Sequence, residues 1–364
     1  MRIVLATGIY PPDIGGPATY VSAFGAELRS RKHDVRVITY GRPGSEARTV
    51  KGGVPVTVVP NSGGMIARWM RYRDALREYA SDADVVIAFT SVSVGVPLIL
   101  ARLRHPKTIL RLGGEFFWER ATDAGSTKSL GEWYRSRFSF WRLVNAFFME
   151  GILRSFHAVV YSTGFQRDIH ERAYRELPPV SVIENAVPED TPVKHRIHDP
   201  LRLLFVGRFV HFKNLPVLLE TVTKFHDCTL TLTGDGPMKS RLVEYVRAHG
   251  LSDRVHFLPP MFGDAKRKLF AEHDLLVIPS VTEISPNVAL EARSAGLPVL
   301  LTDETGLSSD LAKGMLCAPT RDSVHLLSAI MKARSRYDDL AAASPSKRSW
   351  SDVTDEWMTL LSNV

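Results

Sequence analysis

The chain has 364 residues, of which 45% are hydrophobic and 23% charged, as in an ordinary soluble globular protein. At about 100–200 residues per domain, this length predicts two domains, each large enough to bury a core. Because the sequence shows neither a run of about 18–20 apolar residues nor a secretory leader, we expect a cytoplasmic protein without a transmembrane helix.

The net charge of +7 lies mostly in the first half of the chain. Residues 1–190 hold 25 Lys and Arg against 19 Asp and Glu, whereas residues 191–364 hold 21 against 20. A basic half is typical of proteins that bind nucleic acid, anionic lipid or phosphorylated substrates, and it also serves solubility alone. Cys228 and Cys317 stand in apolar, strand-like contexts, so we expect buried thiols rather than a disulfide.

Short apolar runs alternate with amphipathic stretches along the first half of the chain. The predicted strands cover residues 2–7, 34–40, 54–59, 84–89, 108–112 and 158–161. The predicted helices cover residues 17–32, 66–80 and 94–104, and a long helical region that ends near residue 156. This alternation is typical of a parallel sheet covered by helices on both faces.

The alternation stops over residues 186–200, a charged stretch with prolines and no period, which we interpret as a linker. It then restarts, with strands predicted at 201–206, 229–233, 255–258, 275–278 and 298–301. The helices between them are predicted at 215–225, 237–249, 265–272 and 287–294. The sequence therefore predicts α/β domains over 1–186 and 187–345, and a C-terminal helix over 346–364 that packs back on the first domain.

Two cations follow the first strand of the second half. Arg208 stands after Gly207 at the carboxyl end of this strand, and Lys213 follows five residues later. Ligands of such folds bind at the carboxyl ends of the strands. A guanidinium fork and an ammonium group both suit phosphate oxygens, so the pair indicates a phosphate site. Two surface cations beside a turn give the same pattern.

A second polar group follows the fourth strand of the second half. Glu283 stands in the loop, and Glu291 lies inside the helix that follows. The free N–H groups of Asn287 and Val288 at the start of this helix form an anion site. In the alternative interpretation, Glu283 is an acid that interacts with the helix dipole and Glu291 is an exposed helical residue.

Paired glycines mark two junctions between a strand and a helix. Gly234 and Gly236 follow one strand of the second half, and Gly15 and Gly16 follow the first strand of the chain. Glycine permits a tight turn and a close approach of the backbone to a ligand. The Gly234–Gly236 junction does not form the dinucleotide fingerprint, so the sequence does not predict a nicotinamide cofactor.

The order and spacing of these pieces resemble family 4 of the retaining glycosyltransferases, and the resemblance covers nearly the whole chain. It rests on the motifs at residues 11–16, 182–186, 207–213, 234–237 and 283–291. The resemblance implies the GT-B fold, in which two Rossmann-like α/β/α domains have parallel sheets that face a central cleft. In that family the first domain binds the acceptor and the second binds a nucleotide-sugar donor.

The resemblance also implies a role for each candidate. The implied catalytic group is Glu283, Arg208 and Lys213. The implied donor-binding group is Gly16, Arg208, Lys213, Asn287, Val288 and Glu291. In this assignment Glu283 faces the donor sugar and Glu291 accepts the ribose hydroxyls. Fixed cations and helix amides stabilise the charge that develops on a leaving diphosphate, so we expect no cofactor and no metal.

The implied reaction moves a hexose from a UDP- or GDP-sugar to a glycan or lipid-linked acceptor in cell-envelope synthesis, with retention of configuration. Many relatives carry a histidine in the loop after the strand at 108–112, and this chain does not. Glu115 is the nearest polar group, and we predict it as an acceptor or sugar contact, with a solvated loop acid as the alternative. The departure keeps two other functions open, a catalytically weak nucleotide-binding partner subunit and a GT-B epimerase.

Aromatic and basic residues interleave over residues 133–156 and again over 68–73. This pattern is typical of helices that lie on an anionic membrane, and a core helix with an arginine-rich outer face shows it too. Because the basic surplus lies in the same half, we expect a lipid-linked or phosphorylated acceptor and a peripheral contact with the inner face of the membrane. No nucleic-acid reader motif is present, so a nucleic-acid partner is not expected.

Overall fold

The computed structural model describes residues 1–13, 15–42, 48–49, 53–136, 140–193 and 195–364. These residues divide into two compact units. Unit 1 comprises Met1–Phe117, Ser136–Ala186 and Arg348–Val364, and unit 2 comprises Trp118–Arg135 and Val187–Lys347.

Unit 1 is built on a sheet with the strand order β3-β4-β2-β1-β5-β6-β7-β8. Its strands are β1 (Arg2–Thr7), β2 (Asp34–Gly41), β3 (Arg48–Thr49), β4 (Pro55–Pro60), β5 (Val85–Ala88), β6 (Lys107–Leu112), β7 (Ala158–Tyr161) and β8 (Val180–Val182). Among the described strands, neighbours are parallel except for the antiparallel pair β3 and β4. The central strand β1 is a continuous apolar run from Ile3 to Ala6 because helices cover both of its faces.

Helices connect these strands. They are α1 (Gly16–Ser30), α2 (Met65–Tyr79), α3 (Val96–Ala101), α4 (Phe116–Asp123), α5 (Leu130–Arg135), α6 (Phe140–Arg154) and α7 (Gly164–Ala173). A π-helical turn, Ser91–Gly95, precedes α3. The helix α1 buries Tyr20 and Phe24 against the sheet.

Unit 2 is built on a second parallel sheet, with the order β11-β10-β9-β12-β13-β14. Its strands are β9 (Leu201–Val206), β10 (Cys228–Thr233), β11 (Val255–Leu258), β12 (Leu275–Ile278), β13 (Val299–Thr302) and β14 (Met315–Ala318). Its remaining helices are α8 (Leu215–Lys224), α9 (Lys239–Ala248), α10 (Gly263–Ala271), α11 (Asn287–Ser294), α12 (Ser323–Ser335) and α13 (Tyr337–Ala342). Apolar clusters cover both faces of this sheet, as in a doubly wound α/β domain.

The last helix, α14 (Trp350–Asn363), packs in unit 1 against α1. Trp357 is fully buried, and its Nε1 donates a hydrogen bond to the hydroxyl of Tyr20 at 2.8 Å. Ser349 and Asp352 form a capping box at the start of the helix, which satisfies two free N–H groups. The C-terminal segment is therefore anchored by both apolar packing and a capped helix end.

The structure divides the predicted long helical region into α4, α5 and α6. It also groups residues 118–135 with unit 2, whereas the sequence placed them in the first domain. The elements absent from the sequence prediction are β3, β8, β14, α7, α12 and α13. The strands β3 and β8 have 2 and 3 residues, which is too short to show a period. Within the described ranges, no helix is both long enough and apolar enough to cross a membrane.

The two cysteines differ in exposure. Cys228 is buried at the start of β10, as expected, whereas Cys317 is exposed. The expectation of a buried thiol is therefore wrong for Cys317. The reason is that β14 is the last strand of its sheet, where alternate side chains turn towards solvent.

Candidate functional site

The candidate residues of unit 2 follow neighbouring strands. The strand β9 is parallel to both β10 and β12, so the carboxyl ends of these three strands lie at one edge of the sheet. Arg208 follows β9, Gly234 follows β10, and Glu283 follows β12. Because each motif follows one of these parallel strands, the motifs of the second half lie at a single edge of the sheet, where ligands bind in such folds.

Lys213 and Glu283 form an ion pair, which joins the Nζ atom to Oε1. Their side chains are 16% and 6% exposed. The hydroxyl of Ser280 donates a second hydrogen bond to the same carboxylate oxygen, at 2.5 Å. Such a buried carboxylate is stable because a cation and a hydroxyl partner it. The sequence predicted separate ligand contacts for these two residues and did not predict that they pair with each other.

The backbone of Glu283 is held as firmly as its side chain. Its N–H donates to the carbonyl of Glu304 at 2.9 Å, and its carbonyl accepts from the N–H of Gly306 at 2.7 Å. A short parallel bridge to Thr305 adds to this pairing. The loop after β13 therefore fixes the position from which the carboxylate is presented.

The turn that carries Arg208 depends on close packing of two backbones. A Cβ atom on Gly234 would lie 1.9 Å from the carbonyl oxygen of Gly207, and one on Gly236 would lie 2.5 Å from that of Phe209. The N–H of Phe209 donates to the carbonyl of Asp235 at 2.9 Å. The two glycines therefore allow two segments of the chain to pack backbone against backbone, and an approach to a ligand at this turn stays a prediction. The Arg208 side chain itself is exposed, so its guanidinium is open to a ligand.

Glu291 lies in α11 and forms an ion pair with Lys266 of α10. Both side chains are 20% exposed. The helix α11 begins at Asn287, and Val288 is its second residue, so both residues lie in the first turn of the helix. Sequence reasoning did not find Lys266. Its only signal is a basic residue in the helix after β11, and surface helices commonly carry such residues.

Gly16 belongs to unit 1, where it is the first residue of α1. The preceding Gly15 has a φ of 156°, which residues with a side chain rarely adopt, and a Cβ atom there would also displace Cδ1 of Ile9, at 2.5 Å. Ile14, within the same motif, lies outside the described residues. The assignment of Gly16 as a phosphate contact stays a prediction.

Glu115 also belongs to unit 1, and it is buried. It is 2% exposed, and its Oε2 atom lies 2.8 Å from Nε2 of His170. The Nδ1 atom of His170 lies 3.2 Å from the hydroxyl of Tyr161. Burial, with the negative charge of Glu115, raises the pKa of the Tyr161 hydroxyl, which therefore stays neutral.

This burial rules out the alternative interpretation of Glu115, because the residue is not a solvated loop acid. Its assignment as an acceptor or sugar contact stays a prediction. The sequence missed the partner because His170 stands 55 positions away, on the unpredicted helix α7. A histidine therefore does lie beside the loop after β6, although the loop itself contains none.

Two family models match the chain. The model described as "Glycosyl transferases group 1" matches residues 200–335, and the model described as "Glycosyl transferase 4-like domain" matches residues 15–186. The chain belongs to the group 1 glycosyltransferases. The two matches correspond to the candidate donor site of unit 2 and to most of unit 1.

Curated relatives are similar to this glycosyltransferase over different lengths. Glycogen synthase of Mycobacterium tuberculosis is 25% identical over 383 aligned positions, which cover 96% of the chain and 89% of that enzyme. An uncharacterized glycosyltransferase of Methanocaldococcus jannaschii, MJ1607, is 37% identical over 112 residues. That match takes in 30% of this chain and only 29% of the relative.

Solved structures show the fold of this glycosyltransferase. Sucrose-phosphate synthase from Thermosynechococcus elongatus has a TM-score of 0.80 at 16% identity, covering 100% of this chain and 99% of the other. Anabaena Alr3699/HepE, in complex with UDP-glucose, has a TM-score of 0.78 at 16% identity, and the alignment covers 100% of both chains. With its two parallel-sheet α/β units, the chain has the GT-B fold.

Proposed function

We propose that this glycosyltransferase is a retaining enzyme that transfers a hexose from a UDP- or GDP-sugar to a glycan or lipid-linked acceptor. The observation that carries the proposal is the ion pair of Lys213 and Glu283 at the edge of the unit 2 sheet where Arg208 also follows a strand. The complex of HepE with UDP-glucose supports a nucleotide-sugar donor. The 25% sequence identity to glycogen synthase also supports the transfer of a sugar to a glycan.

The donor diphosphate is assigned to the cations of this edge. The exposed guanidinium of Arg208 binds phosphate oxygens, and the N–H groups of Asn287 and Val288 add the donors of a helix start. Glu291 accepts the ribose hydroxyls through the carboxylate that Lys266 already orients. Charge that develops on the diphosphate as it leaves is stabilised by fixed cations and dipoles, which need no reorganisation. This mechanism does not require a metal.

The proposed reaction breaks the bond between the anomeric carbon and the diphosphate oxygen. The acceptor oxygen then attacks from the same face, and an oxygen of the leaving phosphate takes the acceptor proton. In this reaction Glu283 stabilises the donor sugar rather than acting as a nucleophile. Its pairing with Lys213 and Ser280 supports that role, because an ion-paired, hydrogen-bonded carboxylate is a weakened nucleophile.

The acceptor side of the proposal concerns α6. The sequence allowed a core helix with an arginine-rich outer face, but α6 exposes apolar side chains. They are Leu143, Val144, Phe147 and Phe148. Phe147 is 81% exposed. An exposed apolar strip in a basic half supports a peripheral contact with an anionic membrane that carries the acceptor. Residues 137–139 of the predicted interfacial segment lie outside the described residues.

A thermal-shift screen against UDP, GDP, ADP and their hexose conjugates, followed by a transfer assay, tests the donor. A nucleotide at about one hundred times its Kd stabilises the fold by about 2.7 kcal/mol. We expect UDP or GDP to raise the unfolding temperature and the corresponding sugar to be transferred with its anomeric configuration kept. Product of inverted configuration, or stabilisation by ADP alone, contradicts the proposal.

Flotation with anionic liposomes tests the membrane contact. We expect the wild-type protein to float at low salt and Phe147→Ser to float much less. Val324→Ser is the matched control, since Val324 is an exposed apolar residue of unit 2. If the wild-type protein stays at the bottom of the gradient, the peripheral contact is ruled out. If both variants float as well as the wild type, α6 is ruled out as the element that makes the contact.

A further inference from the structure

A segment from the first half of the chain belongs to unit 2. Residues 118–135, called the docked segment below, contain most of α4 and all of α5. Trp118 is almost fully buried, its Nε1 donates to the carbonyl of Lys128 at 2.9 Å, and its ring lies 5.4 Å from the ring of Phe212. Asp123 lies 3.3 Å from Nδ1 of His211. The segment therefore contacts the short helical turn that ends at Lys213.

A second contact joins the docked segment to the loop after β12. The N–H of Leu130 donates to the hydroxyl of Thr282 at 2.9 Å, and both residues are buried. Ser129 and Glu132 form a capping box at the start of α5, with bonds of 2.9 and 3.3 Å. Leu130 is the first residue of that helix, so its N–H has no acceptor within the helix. Thr282 supplies the missing acceptor.

A third contact runs through Arg321. Its guanidinium donates to Glu132 of the docked segment at 2.8 Å and to Glu304 at 3.0 Å. Glu304 is the residue whose carbonyl accepts the N–H of Glu283. The docked segment is thus connected to the strand bridge that fixes the backbone of Glu283.

These contacts converge on one pair of side chains. Phe212 precedes Lys213 in the chain, and Thr282 precedes Glu283. The two loops also contact each other, because the N–H of Val281 donates to the carbonyl of Phe212 at 2.8 Å. The docked segment contacts the neighbour of each member of the ion pair, and it does so with buried groups.

We propose that the docked segment positions the Lys213–Glu283 pair. In this proposal Thr282 is the positioning residue, because it joins Leu130 of the docked segment to the loop that carries Glu283. This inference rests on the proposed function of that pair at the donor site. Catalytic groups must be held within a fraction of an ångström of their working geometry, and a displacement of about 1 Å costs roughly a hundredfold in rate. A buried hydrogen bond one residue from Glu283 supplies such a restraint.

The test compares Thr282→Val with Thr282→Ser. The valine keeps the shape but leaves the Leu130 N–H without an acceptor, whereas the serine keeps the hydroxyl. We expect Thr282→Val to lower kcat roughly ten- to hundredfold with a nearly unchanged KM for the donor, and Thr282→Ser to stay close to the wild type. Hydrogen exchange at the Leu130 amide should accelerate in the valine variant and not in the serine variant.

Arg321→Met provides a second route if Thr282→Val does not fold, because it releases Glu132 and Glu304 from an exposed side chain. Arg334→Met is its control, since Arg334 is an arginine on the surface of α12. We expect a lower kcat for Arg321→Met alone. The positioning role is overturned if Thr282→Val and Thr282→Ser are equally impaired. It is also overturned if the Leu130 amide exchanges faster in Thr282→Val while kcat stays at the wild-type value. A wild-type protein that transfers no hexose contradicts the proposed function instead.

Discussion

Lys266 forms an ion pair with Glu291, although the two residues lie 25 positions apart and on different helices. The pair uses Oε2 of the carboxylate. An ionised carboxylate accepts several hydrogen bonds, so acceptor sites remain for ribose hydroxyls beside the one that Lys266 occupies. The carboxylate assigned to the ribose is thus oriented by a cation before a nucleotide arrives.

The first prediction concerns this carboxylate. Glu291→Gln should weaken binding of the correct nucleoside diphosphate roughly ten- to hundredfold, because hydrogen bonds to a charged acceptor contribute about 1.5–3 kcal/mol. Lys266→Met should weaken it less, since the acceptor remains and only its orientation is lost. Isothermal titration calorimetry measures both. Glu272→Gln, at the exposed end of α10, is the control, and an unchanged Kd for Glu291→Gln would falsify the ribose assignment.

The second prediction separates activity from stability at the other ion pair. Lys213→Ala leaves Glu283 as a buried carboxylate without its cation, so it should abolish most turnover and also destabilise the protein by about 3 kcal/mol. The double variant Lys213→Met, Glu283→Gln removes both charges and should recover much of the stability but none of the activity. Urea unfolding and transfer assays measure the two effects.

A surface ion pair controls this comparison. Lys224 and Glu220 pair on the exposed face of α8, so Lys224→Met should change the free energy of unfolding by less than about 1 kcal/mol. If Lys213→Ala is as stable as the wild type, the buried pair does not contribute as the structure indicates. If the double variant stays active, the catalytic assignment is wrong.

The positions of these residues along the fold could be predicted from the sequence, because parallel strands bring their carboxyl ends to one edge. Arg208, Lys213 and Glu283 each follow a strand that the apolar pattern predicts. Their partners could not be predicted in the same way. Whether Lys213 pairs with a phosphate or with Glu283 depends on side-chain contacts between loops 70 positions apart.

The same limit applies to unit 1 and to the docked segment. The sequence predicts Glu115 as an acceptor or sugar contact, with a solvated loop acid as the alternative, and it does not predict that α7 brings His170 against it. Residues 118–135 read as part of a long helical region in the first half of the chain. Their place in unit 2 follows from the buried contacts of Trp118 with Phe212 and of Leu130 with Thr282. The spacing of apolar residues within the segment does not indicate such long-range contacts.

The third prediction is that activity survives removal of divalent metal. Arg208, Lys213 and the N–H groups at the start of α11 supply positive charge to a leaving diphosphate, so EDTA should leave kcat within about twofold of its value in untreated enzyme. The transfer assay is run after dialysis against the chelator. Loss of activity that Mg²⁺ or Mn²⁺ restores would show that a metal neutralises the diphosphate.

The fourth prediction concerns the turn that carries Arg208. Gly234→Ala places a Cβ atom against the backbone carbonyl of Gly207, which cannot move aside as a flexible side chain would. We expect a loss of about 2–3 kcal/mol in stability, in the range of severe packing strain, together with weaker nucleotide binding. Gly151→Ala is the control. No atom of the described residues lies within 4 Å of a Cβ there, and alanine in the last turn of α6 should stabilise the helix by up to about 1 kcal/mol. Equal stability of the two variants would contradict the close approach.

The last prediction is a pH dependence of the docked segment. The Ser129 N–H and the Arg321 guanidinium lower the pKa of the Glu132 carboxyl below its ordinary value of 4.5. A carboxyl with a lowered pKa stabilises the folded protein above that ordinary value, and the contribution disappears as the pH falls through the folded-state pKa. The wild type should therefore be more stable than Glu132→Gln at neutral pH, by less than about 1 kcal/mol for such a partly exposed pair, and the difference should vanish in acid.

Thermal unfolding of both proteins between about pH 3.5 and pH 7 measures this difference, and taking the difference removes the acid sensitivity that all carboxylates share. Glu244→Gln, an exposed substitution on α9, should show a constant offset across the same range. In Arg321→Met the Glu132 carboxyl keeps its N–H partner and loses its cation, so the midpoint of the pH effect should move towards 4.5. A wild-type advantage that does not change with pH would mean that the Glu132 carboxylate does not hold the docked segment through its charge.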